Sequence, residues 1–88
     1  MPSKQQLSAI KVKNIKEPGY FLDSDGLYLQ VSSTGTKSWV YRFMLKKRRR
    51  DMGLGPLDTL SLADARLQRN EQKKFVKQGI DPIANRTT

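Results

Sequence analysis

Leu27-Tyr28-Leu29-Gln30-Val31 and, after Ser33-Thr34-Gly35-Thr36, Lys37-Ser38-Trp39-Val40-Tyr41-Arg42-Phe43-Met44-Leu45 are the stretches that decide the fold. Leu27, Leu29 and Val31 alternate with Tyr28, Gln30 and Ser32, the period of a strand with one buried and one solvated face. In the second stretch Trp39, Tyr41, Phe43 and Leu45 make a heavier face and Val40, Arg42 and Met44 the other, with the aromatic and β-branched content that suits a strand. The Gly-containing joint between them reads as a hairpin connection.

Moving outward towards the C-terminus, Lys46-Lys47-Arg48-Arg49-Arg50 bridges into a third strand, with Met52 and Leu54 inward and Arg49 and Asp51 outward. No Gly marks this turn, so its register stays open. Gly53-Leu54-Gly55-Pro56 closes the sheet, and Ser61-Leu62-Ala63-Asp64 is a capping signal for a helix from Leu62 to about Gln78. Gly79 offers that helix a left-handed cap, and Ile80 a hydrophobic contact just beyond it. Leu62, Ala65, Arg69, Gln72 and Val76 share one helical face, where the aliphatic stems of Arg69 and Gln72 are expected to complete the packing. Residues 81–88, from Asp81-Pro82 on, read as the start of a linker.

Towards the N-terminus, Leu7 to Lys16 reads as a short helix that Ser8 can cap, with Val12 and Ile15 on one face. Glu17-Pro18-Gly19 stops it, Tyr20-Phe21-Leu22 is a short extended segment, and Asp23-Ser24-Asp25-Gly26 is a turn. Residues 1–6 read as a disordered N-terminus. The expected fold class is α+β: a three- to four-stranded antiparallel sheet packed on one face by a C-terminal helix, with a short N-terminal helix, over residues 7–80.

The chain has 88 residues with 17 Lys+Arg against 8 Asp+Glu, a net charge of +9, and neither Cys nor His. A chain of this length buries one modest core. Without Cys or His the usual zinc and haem ligand sets and the Ser-His and Cys-His nucleophiles cannot be built, so no catalytic residue, metal or cofactor is expected. The absence of Cys suits a cytoplasmic protein, and no apolar run approaches the roughly 18 residues of a membrane span. The excess of positive charge favours a polyanionic partner, nucleic acid first.

Two features could meet such a partner. The run Lys46 to Arg50 is a phosphate-binding candidate, joined by Lys37, Arg42 and, on the opening helix, Lys11, Lys13 and Lys16. The plainer reading is a solvated hairpin tip that discourages edge pairing. The outward sheet face carries Gln30, Arg42 and Arg49, and Gln and Arg side chains can bond two base-edge atoms at once in a major groove; Ser32 reaches bases or phosphates. An ordinary polar outer face would look the same. The Trp39, Tyr41, Phe43 stripe could stack bases but fits a core better.

The succession Leu7-Ser8 with Val12 and Ile15, Ser24-Asp25-Gly26-Leu27-Tyr28-Leu29-Gln30-Val31, then Gly35-Thr36-Lys37-Ser38-Trp39 with Tyr41-Arg42-Phe43, resembles the N-terminal arm-type DNA-binding domain of phage and prophage integrases. Leu54-Gly55-Pro56-Leu57, Ser61-Leu62-Ala63-Asp64-Ala65-Arg66 and Gly79-Ile80-Asp81-Pro82 extend the resemblance over about residues 7 to 82. It implies a tyrosine recombinase in which this non-catalytic module grips arm-type repeats beside an attachment site in bacterial double-stranded DNA, together with other integrase protomers. The catalytic tyrosine would lie in a larger part outside this chain, so Tyr20, Tyr28 and Tyr41 are not cast in that role. Members lay a sheet in the major groove, which implies base contacts from Gln30, Arg42 and Arg49 and phosphate contacts from Ser32, Lys37, Lys46, Lys47, Arg48 and Arg50. Val40 departs from the basic residue that members often carry there. An RNA-binding module of ribosomal or translational type, or a domain docking an acidic protein, would share the charge balance.

Overall fold

A computed structural model describes residues 7–86, with side chains described for 7–84; the expected disorder of residues 1–6 lies outside them. The elements in chain order are α1 (Ala9–Asn14), β1 (Gly19–Ser24), β2 (Leu27–Val31), β3 (Lys37–Leu45), β4 (Arg48–Pro56), α2 (Leu62–Lys77) and α3 (Pro82–Arg86). The strands form one antiparallel sheet in the order β1-β2-β3-β4. The class is α+β as expected, with the fourth strand present and with β1 longer than the expected Tyr20 to Leu22.

Strand alternation builds the core. Leu27, Leu29 and Val31 of β2 and Trp39 of β3 point to one face and join Val12 of α1 and Ala65 of α2 in a buried cluster. Tyr41, Phe43 and Met52 make a second cluster beside it, the two rings of β3 stacked at 5.2 Å. Both helices therefore lie on the same side of the sheet. The buried Trp39 indole donates from Nε1 to the Leu60 carbonyl at 2.7 Å, which satisfies its N–H and ties the loop before α2 to the sheet.

The helix ends follow from their capping chemistry. The Ser8 and Ser61 side chains accept from the backbone N–H groups of Lys11 and Asp64, three residues on. At the far end of α2, Gly79 at φ 77° lets its N–H reach the Val76 carbonyl while the Ile80 N–H reaches that of Phe75. This is the double-bonded Schellman closure. Ile80 itself stays 41% exposed.

Three local features depart from the sequence reading. Asp23, expected in a solvated turn, belongs to β1 and is fully buried; the turn contracts to Asp25-Gly26, both at positive φ. Lys46 and Lys47 form a two-residue turn at φ 52° and 68°, so Leu45 pairs with Arg48 without any Gly. The segment after Asp81 is helical over Pro82–Arg86, with Pro82 buried and Ile83 against the Tyr41-Phe43-Met52 cluster.

Candidate nucleic-acid interface

The face turned away from the helices is built by cross-strand register. Tyr20 pairs with Gln30 and Gln30 with Ser38; Leu22 pairs with Tyr28 and Tyr28 with Val40; Arg42 pairs with Asp51 and Met44 with Arg49. None of the described helices covers these residues. Gln30, Arg42 and Arg49, the three predicted base-contact residues, all sit on this one face.

Arg42 is its centre, and it is tightly held. Its Nε donates to Asp51 Oδ1 at 2.9 Å and its Nη2 to Oδ2 at 3.4 Å. Its guanidinium carbon lies 4.5 Å from the centroid of the Tyr28 ring and 5.1 Å from that of Tyr20, within cation–π range of both. The two rings meet edge to face at 6.4 Å. The hydrogen bond and charge of Asp51 raise the Arg42 pKa still further, so its charge is permanent. Gln30 is half-buried and Arg49 exposed, and neither side chain is hydrogen-bonded within the described residues. Val40, at the place where a basic residue was considered, is 8% exposed beneath this surface.

The cationic run does not act as one patch, because alternation divides it. Lys46 and Lys47 form the tip; Arg49 follows Met44 onto the open face. Arg48 and Arg50 pair with Leu45 and Phe43 and so project on the helix side. There they border a shallow hollow with Gly79 and Asp81, and Arg50 Nη1 bonds Asp81 Oδ2 at 2.9 Å.

Two predicted phosphate contacts stand apart from the tip. Lys37 is half-buried, and its Nζ donates to the Val12 and Lys13 carbonyls at 2.8 and 3.0 Å, a cation at the negative end of α1. The Ser32 hydroxyl oxygen accepts from the Thr36 N–H at 3.0 Å and lies 2.9 Å from Thr34 Oγ1, holding the β2–β3 turn.

Sequence reasoning missed the polar clamp on the helix side. The buried Asp23 carboxylate accepts from Arg66 Nε at 2.9 Å and Nη2 at 2.8 Å, from the Leu7 N–H at 2.7 Å and from Ser24 Oγ at 3.1 Å. Burial pushes its pKa up, but the hydrogen bonds from Arg66 and Leu7 and the charge of Arg66 outweigh this and hold it below the ordinary carboxylate value. Arg69 Nη1 donates to the Ser24 carbonyl at 2.6 Å, and Lys73 Nζ lies 3.6 Å from Asp25 Oδ2. Alternation held the signal: had β1 been extended to Ser24, Asp23 would have shared a face with the inward Phe21.

Among the described residues no helix is long and apolar enough to cross a membrane, and no group of three or more His, Cys, Asp or Glu could hold a metal ion. A family model described as Arm DNA-binding domain matches residues 7–88. The chain is 45% identical over 62 residues to the integrase of Enterobacteria phage P4, covering 68% of this chain and 14% of that protein. It is 40% identical over 76 residues to prophage integrase IntA of Escherichia coli (strain K12), covering 83% and 18%. It is also 32% identical over 79 residues to the integrase of Shigella phage Sf6, covering 90% and 20%. The chain thus spans about a fifth or less of the length of these relatives.

Proposed function

The chain belongs to the arm DNA-binding domain family, and from that premise we propose that it binds double-stranded DNA as the arm-site module of a phage or prophage integrase. In this reading the open sheet face enters the major groove. Gln30, Arg42 and Arg49 approach base edges, while Lys46, Lys47, Arg48 and Arg50 hold phosphates and fix register. Lys37 and Ser32 act through the fold instead, by anchoring α1 and the β2–β3 turn. The observation that carries the reading is the division of the sheet: both helices cover one face, and the other gathers Gln30, Arg42 and Arg49 beside a cationic tip.

The parent would be a tyrosine recombinase acting in integration and excision in the bacterial cytoplasm, on the nucleoid, and assembling with further protomers on DNA. Its catalytic residues would lie outside this chain. Residues 7–80 would form the binding module, with 81–88 leading towards the catalytic region. Tyr41, 4% exposed among core rings, has no access to a phosphodiester, and Tyr20 and Tyr28 flank Arg42.

Fluorescence anisotropy with short duplexes tests the proposal. Duplex DNA is expected to outcompete structured RNA at fixed salt, and Arg42→Ala is expected to relax preference at one base pair by about 1–3 kcal/mol. A preference for RNA, or an equal loss from Arg42→Ala on every duplex, would count against it.

A further inference from the structure

A carboxylate in the middle of a surface meant for a polyanion needs a reason. Asp51 is the one acid among the described strand residues of the open face, and its side chain is 37% exposed. Stability alone is a weak reason, because an exposed pair contributes about 0–1 kcal/mol. Phosphate binding is worse served, since Asp51 cancels the charge of Arg42 next to it.

The geometry offers a different role. Asp51 takes the side-on edge of the guanidinium, Nε and one Nη2 hydrogen. One Nη1 hydrogen and the second Nη2 hydrogen lie outside that pair, and together they form the end-on fork that matches two adjacent acceptors. The Tyr28 and Tyr20 rings flank the guanidinium and restrict its swing. A carboxylate has about four lone-pair sites, of which Arg42 fills two, so the exposed side of Asp51 can still accept. The couple therefore presents donor, donor and acceptor in a row.

A G·C pair offers the complement in the major groove: guanine N7 and O6 accept, and the neighbouring cytosine N4 amine donates. An A·T pair offers acceptor, donor, acceptor, which would set the Arg42 fork against an amine. Resting on the DNA-binding reading above, we propose that Arg42 and Asp51 act as one unit that reads a single G·C base pair, with Asp51 the acceptor for the cytosine amine. Asp51 is thus a specificity-determining residue, and its cost in phosphate attraction is the cost of discrimination.

The test begins with selection by this chain from a pool of short duplexes with a randomised centre. In the enriched duplex, each central G·C pair is replaced in turn by one carrying 7-deazaguanine, and by one carrying 2-pyrimidinone, which lacks the N4 amine. At one pair, 2-pyrimidinone is expected to weaken wild-type binding about tenfold and to leave Asp51→Ala unaffected. At the same pair, 7-deazaguanine is expected to weaken wild type and Asp51→Ala alike and to leave Arg42→Ala unaffected. Any weakening of the duplex itself is common to all proteins and cancels in the comparison. Thermal melts confirm that the variants fold, with Asp51→Ser replacing Asp51→Ala if the latter melts early.

Equal sensitivity of wild type and Asp51→Ala to 2-pyrimidinone at every pair would overturn the inference and leave Asp51 a mere support for Arg42. So would tighter binding of Asp51→Ala to all duplexes alike, or a pool that enriches no sequence while duplexes still bind in a salt-dependent way. Absence of any duplex binding would overturn the DNA-binding reading as well.

Discussion

Single residues fix the two polar centres of the molecule. Gly26 stands at φ 85°, its carbonyl accepts from the Arg42 N–H at 2.7 Å, and a Cβ there would collide with the Arg42 carbonyl oxygen. Gly26→Ala therefore combines left-handed strain with a backbone clash. It is expected to destabilise by about 2–4 kcal/mol, a fall in Tm of roughly 10 °C or more by calorimetry. Asp23 gives a pH signature. Its folded pKa lies below its unfolded value near 3.9, so the clamp's contribution is complete above about pH 4 and is lost as pH falls through the lowered value. Melts between about pH 7 and pH 2 should show an acid loss that flattens in Asp23→Asn. That variant is expected to be about 2–3 kcal/mol less stable at neutral pH, because Arg66 is 34% exposed and water can partly replace the lost carboxylate. Alternation with Phe21 carried the signal for the buried side of Asp23, but the clamp itself was not legible, since its partner is 43 residues away and the neighbouring Ser, Asp and Gly all favour a turn.

Elements differ in how openly the sequence declares them. The bounds of β2, β3 and α2 follow from period-two alternation, an aromatic run, and a Ser cap with a terminal Gly, all local signals. The β3–β4 turn is opaque because Lys46 and Lys47 adopt positive φ where Asn-Gly would be the ordinary choice. That strain suggests that their charge, not their conformational fitness, accounts for their presence. Replacing Lys46-Lys47 by Asn-Gly is expected to raise stability by about 1 kcal/mol while lowering the salt slope of duplex binding by about two. Chemical denaturation and a salt titration of the same variant check both halves. The candidate interface was legible to the same degree as its strands: alternation placed Gln30, Arg42 and Arg49 together, but it could not show that Lys37 would find the α1 carbonyls.

For the whole molecule, the net charge of +9 divides into working and structural shares. Arg66, Arg69 and Lys37 clamp helices to the sheet, whereas the side chains of Lys46, Lys47, Arg48 and Arg49 have no partner among the described residues. With Lys46, Lys47, Arg48 and Arg50 meeting phosphates, log K for random duplex should fall with log salt at a slope of about −3.6, and a slope near zero would contradict the phosphate role. Ile83 of α3 packs on the Tyr41-Phe43-Met52 cluster, so Ile83→Ala should cost about 1–2 kcal/mol in denaturant unfolding, as truncation of a half-buried core side chain does.

The sheet order has a kinetic consequence. Because β1, β2, β3 and β4 neighbour each other in the order in which they occur, each pairing needs only a short loop to close, and the sheet can grow one hairpin at a time. Arg66 then makes the distant closures, 43 residues back to Asp23 and 59 back to Leu7. Folding should thus separate into rapid zippering and a later docking of α2. Arg66 substitutions should mainly accelerate unfolding and leave the folding rate nearly unchanged.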